Sequence, residues 1–126
     1  MKIVIANRSE RVQDRIVDTL NENFPDLDFI GRTNDGQKAK ELIEKIRPEM
    51  IILDVDLETI SGVDLLKSLN KDLRMAPLII FYTRYSNTTY KNHCLNLGAS
   101  HYFDKSANIE DLLELIREMN SEEVNH

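Results

Sequence analysis

The chain has 126 residues, 41% hydrophobic, 30% charged and 6% aromatic, the make-up of one globular domain with one core. No apolar run approaches the roughly 20 residues of a membrane span, and the start lacks the length and cleavage region of a secretory leader, so a cytoplasmic chain with no membrane partner is expected. Sixteen Lys and Arg against 22 Asp and Glu give a formal charge of -6, which argues against nucleic-acid binding by this domain itself, and the lone Cys94 can close no internal disulfide.

Short β-rich runs alternate with longer segments of helical period, the pattern of βα units around a parallel sheet. The opening KIVIA (2–6) reads as a buried strand; Ser9 then caps a helix whose Val12, Ile16, Leu20 and Phe24 recur every fourth residue. LDFIGR (27–32) is the second strand, and after Asn34, Asp35 and Gly36 a second helical face follows through Ala39, Leu42, Ile43 and Ile46, ended by Pro48. MIILDV (50–55) is the most uniformly apolar run, as a central strand covered on both faces should be, and it stops in Asp54 and Asp56. Gly62 opens a short helix through Val63, Leu65, Leu66 and Leu69. LIIFY (78–82) is the fourth strand; Tyr90, Cys94 and Leu97 mark a fourth helix closed by Gly98. HYF (101–103) precedes a last helix with Ile109, Leu112, Leu113, Leu115, Ile116 and Met119, a stripe that either drapes over the sheet edge or leaves room for a partner, including a second copy. No repeat or linker divides residues 1–126, and the polar end SEEVNH (121–126) is expected to fray.

In an open parallel sheet, ligands collect beyond the carboxyl ends of the strands, where the strand order reverses. Those ends offer Asn7 with Arg8, Asp54 with Asp56, Thr83 with Arg84, and Lys105. An aspartate leaving a buried strand can accept a phosphoryl group, a hydroxyl can bond one of its oxygens, and an ammonium can neutralise the added charge. Each group alone is an ordinary loop residue; their joint placement is what points to chemistry.

At these residues the sequence resembles the receiver domain of two-component response regulators over nearly its whole length. IILDVDLETISGVDLL (51–66) looks like the phosphoacceptor segment, with Gly62 eight residues after Asp54; Thr83 follows LIIFY where the family carries Thr or Ser; and GASHYFDK (98–105) is similar to the family's GAxxYxxK. The resemblance implies a doubly wound, flavodoxin-like (βα)5 fold with a parallel sheet in the order 2-1-3-4-5. It implies a non-enzymatic signalling role in which Asp54 accepts a phosphoryl group from a histidine kinase or phosphotransfer protein, Lys105 pairs with it, and Thr83 bonds it. Tyr102 would be the aromatic switch that moves inward with the threonine, its plainer alternative being an edge-strand aromatic. The segment PDLDFIGRTNDG (25–36) and Ser106, where many receivers have proline, look most like receivers that precede a DNA-binding output domain; the length fits both a stand-alone receiver and a piece of a longer chain. His93 and His101, without a matched base or ligand, read as surface or half-buried residues, and Cys94 as packing.

The pattern breaks at the metal. Receivers usually end their first strand in two acidic residues that help hold Mg2+, whereas this chain has Asn7 and Arg8, a change in formal charge from -2 to +1. Mg2+ binding is therefore expected to be weak or absent. In one reading Arg8 reaches Asp54, stands in for the metal and favours the ionised carboxylate; the plainer alternative has it pointing to solvent. A competing reading rebuilds an oxygen site from Asp54, Asp56, Glu58 and Asn7, with Asp56 at risk of pointing across the strand from Asp54. Two functions follow: a phosphoacceptor regulator, or an interaction domain of receiver shape that works without phosphorylation. A nucleotide-binding or flavodoxin-like enzyme is disfavoured, because ANRSERVQ (6–13) contains no glycine for a phosphate loop.

Overall fold

The computed structural model describes residues 1–69, 77–104 and 109–124. In chain order these form β1 (Lys2–Ala6), α1 (Glu10–Asn23), β2 (Phe29–Thr33), α2 (Gly36–Ile46), β3 (Met50–Leu53), α3 (Gly62–Leu69), β4 (Leu78–Tyr82), α4 (Thr88–Asn96), β5 (His101–Phe103) and α5 (Ile109–Val124). The strands pair in parallel in the order β2-β1-β3-β4-β5. This is the doubly wound arrangement expected, with the order reversing between β1 and β3.

Strand alternation sorts the apolar residues onto two faces. Val4, Ala6, Ile51, Leu53, Ile79 and Phe81 join Ala39 and Ile43 of α2, Leu65 and Leu66 of α3, and Cys94 of α4 in one cluster. Ile3, Ile5, Met50, Ile52 and Ile80 join Ile16 and Leu20 of α1 and Ile109, Leu112, Leu113 and Ile116 of α5 in the other. Each fully buried Leu or Ile contributes about 1.5–3 kcal/mol, which is why uninterrupted apolar runs mark the central strands. Leu115 and Met119 also pack partly against the second cluster, so the wide α5 stripe drapes over the sheet.

Local chemistry fixes the helix ends. Ser9 Oγ accepts from the Val12 N–H at 3.2 Å, and Asp35 Oδ1 accepts from the Lys38 N–H at 2.9 Å. Arg47, at φ 53°, turns the chain out of α2 before Pro48, and Gly98, at φ 111°, does so after α4.

Several boundaries depart from the sequence expectation. β2 begins at Phe29 rather than residue 27, because the Leu27 N–H closes a turn onto the Phe24 carbonyl. β3 stops at Leu53, since the Val55 carbonyl is already engaged by the Gly62 N–H at 2.8 Å. A Cβ at Gly62 would lie 1.9 Å from the Asp54 carbonyl oxygen, so only glycine lets α3 start this close to the end of β3. Tyr90 does not belong to the buried face of α4: it is 43% exposed and leans on Tyr85, ring centroids 5.9 Å apart. The helical backbone of α5 continues to Val124, well into the segment expected to fray.

Candidate functional site

The carboxyl edge of the sheet assembles the site from three loops. Asp54 follows β3 with its backbone N–H still bonded to the Ala6 carbonyl, so its position is set by the β1 ladder, and it is 5% exposed. Thr83 follows β4 and is held likewise, its N–H donating to the Phe103 carbonyl at 3.0 Å. Thr83 Oγ1 donates to Asp54 Oδ1 at 2.6 Å. The Asp56 N–H reaches the same oxygen at 3.3 Å, and the Arg8 N–H reaches Asp54 Oδ2 at 3.3 Å. Burial pushes the Asp54 carboxyl above its ordinary range; the three hydrogen bonds pull back, Thr83 most, and the Asp56 charge pushes further up. Above it opens a cavity of about 430 Å³ bordered by Arg8, Thr83, Arg84 and Asp104.

The expected pairing of the Arg8 side chain with Asp54 is corrected here. Only its backbone N–H contacts that carboxylate; its guanidinium lies 3.2 Å from Asp56 Oδ1, while Arg84 lies 3.5 Å from Asp56 Oδ2. Arg8 favours the ionised Asp54 only through that N–H, and burial outweighs it, so the carboxyl's affinity for its proton is raised. Asp56 does not point away across the strand, because past Leu53 the chain has left strand geometry and the alternation rule no longer governs it.

The rebuilt metal site is not assembled. Asn7 spends its side chain internally, Oδ1 accepting from the Ser9 N–H at 3.0 Å and Nδ2 donating to the Tyr82 carbonyl at 3.3 Å. Glu58 is exposed, its backbone docked on the β2–α2 turn through the Gly36 N–H at 2.7 Å and the Asn34 carbonyl at 3.1 Å. Among the described residues no three His, Cys, Asp or Glu side chains converge as a metal set. With an amide already bonded, a guanidinium beside it and Asp56 taken by two cations, these residues do not fit Mg2+.

Tyr102 is 8% exposed, its ring 5.8 Å from Phe81 and its hydroxyl donating to the Tyr85 carbonyl at 2.7 Å. Burial pushes its phenol up to about 12. Lys105 and Ser106 lie outside the described residues. His93 and His101 are exposed, and Cys94 is buried with its thiol pushed up to about 11.

Sequence reasoning missed Gln13, which is 3% exposed and donates from Nε2 to the Asn7 carbonyl at 2.6 Å, while its Oε1 accepts from Arg32 Nε at 3.0 Å. The pattern held a clue: Gln13 precedes Ile16 by one turn on the buried stripe of α1, where a polar residue needs a buried partner.

The response regulator receiver domain profile matches residues 3–117. Over 106 residues, 83% of this chain and 28% of the relative, the sequence is 28% identical to protein-glutamate methylesterase/protein-glutamine glutaminase 1 of Saccharophagus degradans. It is also 28% identical to the transcriptional regulatory protein DegU of Brevibacillus brevis, covering 74% of this chain and 39% of that one. The chain thus spans less than half the length of these curated relatives. The crystal structure of the signal receiver domain of a DNA binding response regulator protein (merR) from Colwellia psychrerythraea 34H matches with TM-score 0.88 at 20% identity, covering 96% of this chain and 98% of that one, a likeness of fold. Motif spacing, strand order and profile agree: the chain belongs to the response regulator receiver domain family.

Proposed function

We propose that this receiver acts as a non-enzymatic signalling module in which Asp54 is the phosphoryl acceptor. The observation that carries the reading is the 2.6 Å bond from Thr83 Oγ1 to the Asp54 carboxylate, at the reversal point of the sheet and beneath an open cavity. A carboxylate oxygen of Asp54 attacks phosphorus, the bond from phosphorus to a donor imidazole breaks, and that nitrogen keeps the electron pair and takes up a proton. Thr83 then donates to a phosphoryl oxygen and Lys105 balances its charge. Tyr102, whose hydroxyl bonds the loop carrying Thr83, reports the change to the α4 and β5 surface. The donor is a histidine kinase or phosphotransfer protein. Without an acidic pair after β1, transfer is slow and gains little from Mg2+. The -6 charge and the lack, among the described residues, of a helix long and apolar enough to cross a membrane favour a cytoplasmic protein partner over nucleic acid or lipid.

A second reading, an interaction domain that works without phosphorylation, is favoured by one observation: Arg8 and Arg84 both occupy Asp56, so an unmodified site already has its loops engaged. Incubation with acetyl phosphate, with and without Mg2+, followed by intact mass, separates the two. Addition of one phosphoryl group to wild type and none to Asp54→Ala supports the acceptor role. Modification of Arg8→Asp alone supports the interaction domain.

A further inference from the structure

The carboxylate of Asp56 joins two loops that also meet on Asp54, through the Arg8 N–H and the Thr83 hydroxyl. Arg8 from the β1–α1 loop holds Oδ1 at 3.2 Å and Arg84 from the β4–α4 loop holds Oδ2 at 3.5 Å, while the Asp56 backbone N–H is bonded to Asp54. Arg84 is steered by a second contact, its guanidinium carbon lying 5.4 Å from the centroid of the Tyr85 ring. The Asp56 side chain is 27% exposed, less than either arginine, so its charge is the least screened of the three.

The post to which the two arginines attach is itself fixed from behind. Thr59 adopts φ 66°, its hydroxyl donates to Asp35 Oδ1 at 3.0 Å and accepts from the Gln37 N–H at 3.0 Å, and the Gly36 N–H bonds the Glu58 carbonyl. A Cβ on Gly36 would fall 2.2 Å from the Ile60 carbonyl oxygen, so the β3–α3 loop lies flush on the start of α2. Asp56 therefore projects from an anchored turn, and ion pairs that would be weak between two mobile side chains act on a fixed centre.

We infer that Asp56 is a positioning residue whose bridge to Arg8 and Arg84 ties the β1–α1, β3–α3 and β4–α4 loops together in the place a divalent cation would take, so that the site stays assembled without Mg2+. The two guanidinium groups occupy both oxygens of Asp56 and offset its charge, which leaves that carboxylate poorly placed to ligate a dication. The inference holds whether or not Asp54 is phosphorylated.

The test is 15N NMR of the full chain, following the Arg8 and Arg84 Nε–H signals and the backbone amides of Asp54 and Thr83. In wild type both Nε–H groups are ordered, and Mg2+ up to about 20 mM gives no saturable shift, as expected where charged oxygen ligands are lacking. Asp56→Asn lowers the order of both arginines and shifts the Thr83 amide, Asp56→Glu restores them, and high salt acts like Asp56→Asn. Arg8→Asp, which removes one cation and adds a carboxylate, gains saturable Mg2+ binding. Submillimolar Mg2+ binding by wild type, or Asp56→Asn that leaves the arginines and Thr83 unchanged, overturns the inference. Acetyl phosphate labelling is read separately by mass, so failure of Asp54 to be modified counts against the acceptor role and not against the bridge.

Discussion

Replacing Thr83 with valine keeps the side-chain shape and removes one hydroxyl, the strongest hydrogen bond the buried Asp54 carboxylate has. A hydrogen bond to an ionised group contributes about 1.5–3 kcal/mol, against about 0.5–1.5 kcal/mol for a neutral pair. For a chain of this size each kcal/mol moves the melting point by roughly 3–5 °C, so Thr83→Val is expected to melt about 5–15 °C lower at neutral pH. Because the Thr83 bond holds the Asp54 carboxyl down against desolvation, its loss also drives that group further up. The sign of the pH effect follows. A carboxyl whose folded pKa lies above its unfolded value gives stability that is complete below the unfolded pKa and lost as pH rises through the folded one. The cost of Thr83→Val is thus smallest in acid, where Asp54 is neutral in both states, and grows as pH rises. Urea unfolding followed by circular dichroism, on wild type, Thr83→Val, Asp54→Asn and the double variant, isolates the coupling. A cost below about 0.5 kcal/mol at neutral pH, or a cost that is the same with Asp54 intact as in the Asp54→Asn background, would refute the assignment of a charge-assisted bond.

Gly62→Ala should destabilise by about 1–3 kcal/mol or more, since its methyl would sit 1.9 Å from the Asp54 carbonyl oxygen, and should shift the Asp54 amide in NMR spectra. Ser9→Ala should cost about 1 kcal/mol in chemical denaturation through loss of the cap on α1. Tyr102→Phe should cost about 1 kcal/mol. In the wild type the stability from Tyr102 is intact below pH 10 and lost as pH rises through about 12, so an ultraviolet titration of wild type against Tyr102→Phe should show the Tyr102 phenol ionising late. Cys94 should react with a thiol reagent at pH 8 only as fast as the protein opens, because its thiol is buried and pushed up to about 11.

Much of the architecture was legible because local rules and the fold agree. MIIL is the strand covered on both faces that its uniform apolar run announced, LIIFY is the strand expected after Pro77, Ser9 caps α1 as its place before the helical period indicated, and Gly62 opens α3 where the backbone leaves no room for a side chain. The spacing from Asp54 to Thr83 is likewise written in two strand ends that share a ladder edge, since parallel neighbours in register bring their carboxyl termini together. Tyr90 misled because its spacing fits the buried face of α4, while its ring found Tyr85 in the preceding loop.

From the sequence alone follow the βα alternation, the two-faced core, and an edge carrying Asp54 and Thr83 but no acidic pair after β1. Only the folded chain decided which carboxylate the arginines would choose. Asp54 is sheltered and already bonded by one hydroxyl and two N–H groups, whereas Asp56 stands half out on an anchored turn within reach of two loops. Partner choice among charges depends on distances of a few ångströms between residues far apart in the chain, and these are set by loop geometry that no periodicity encodes.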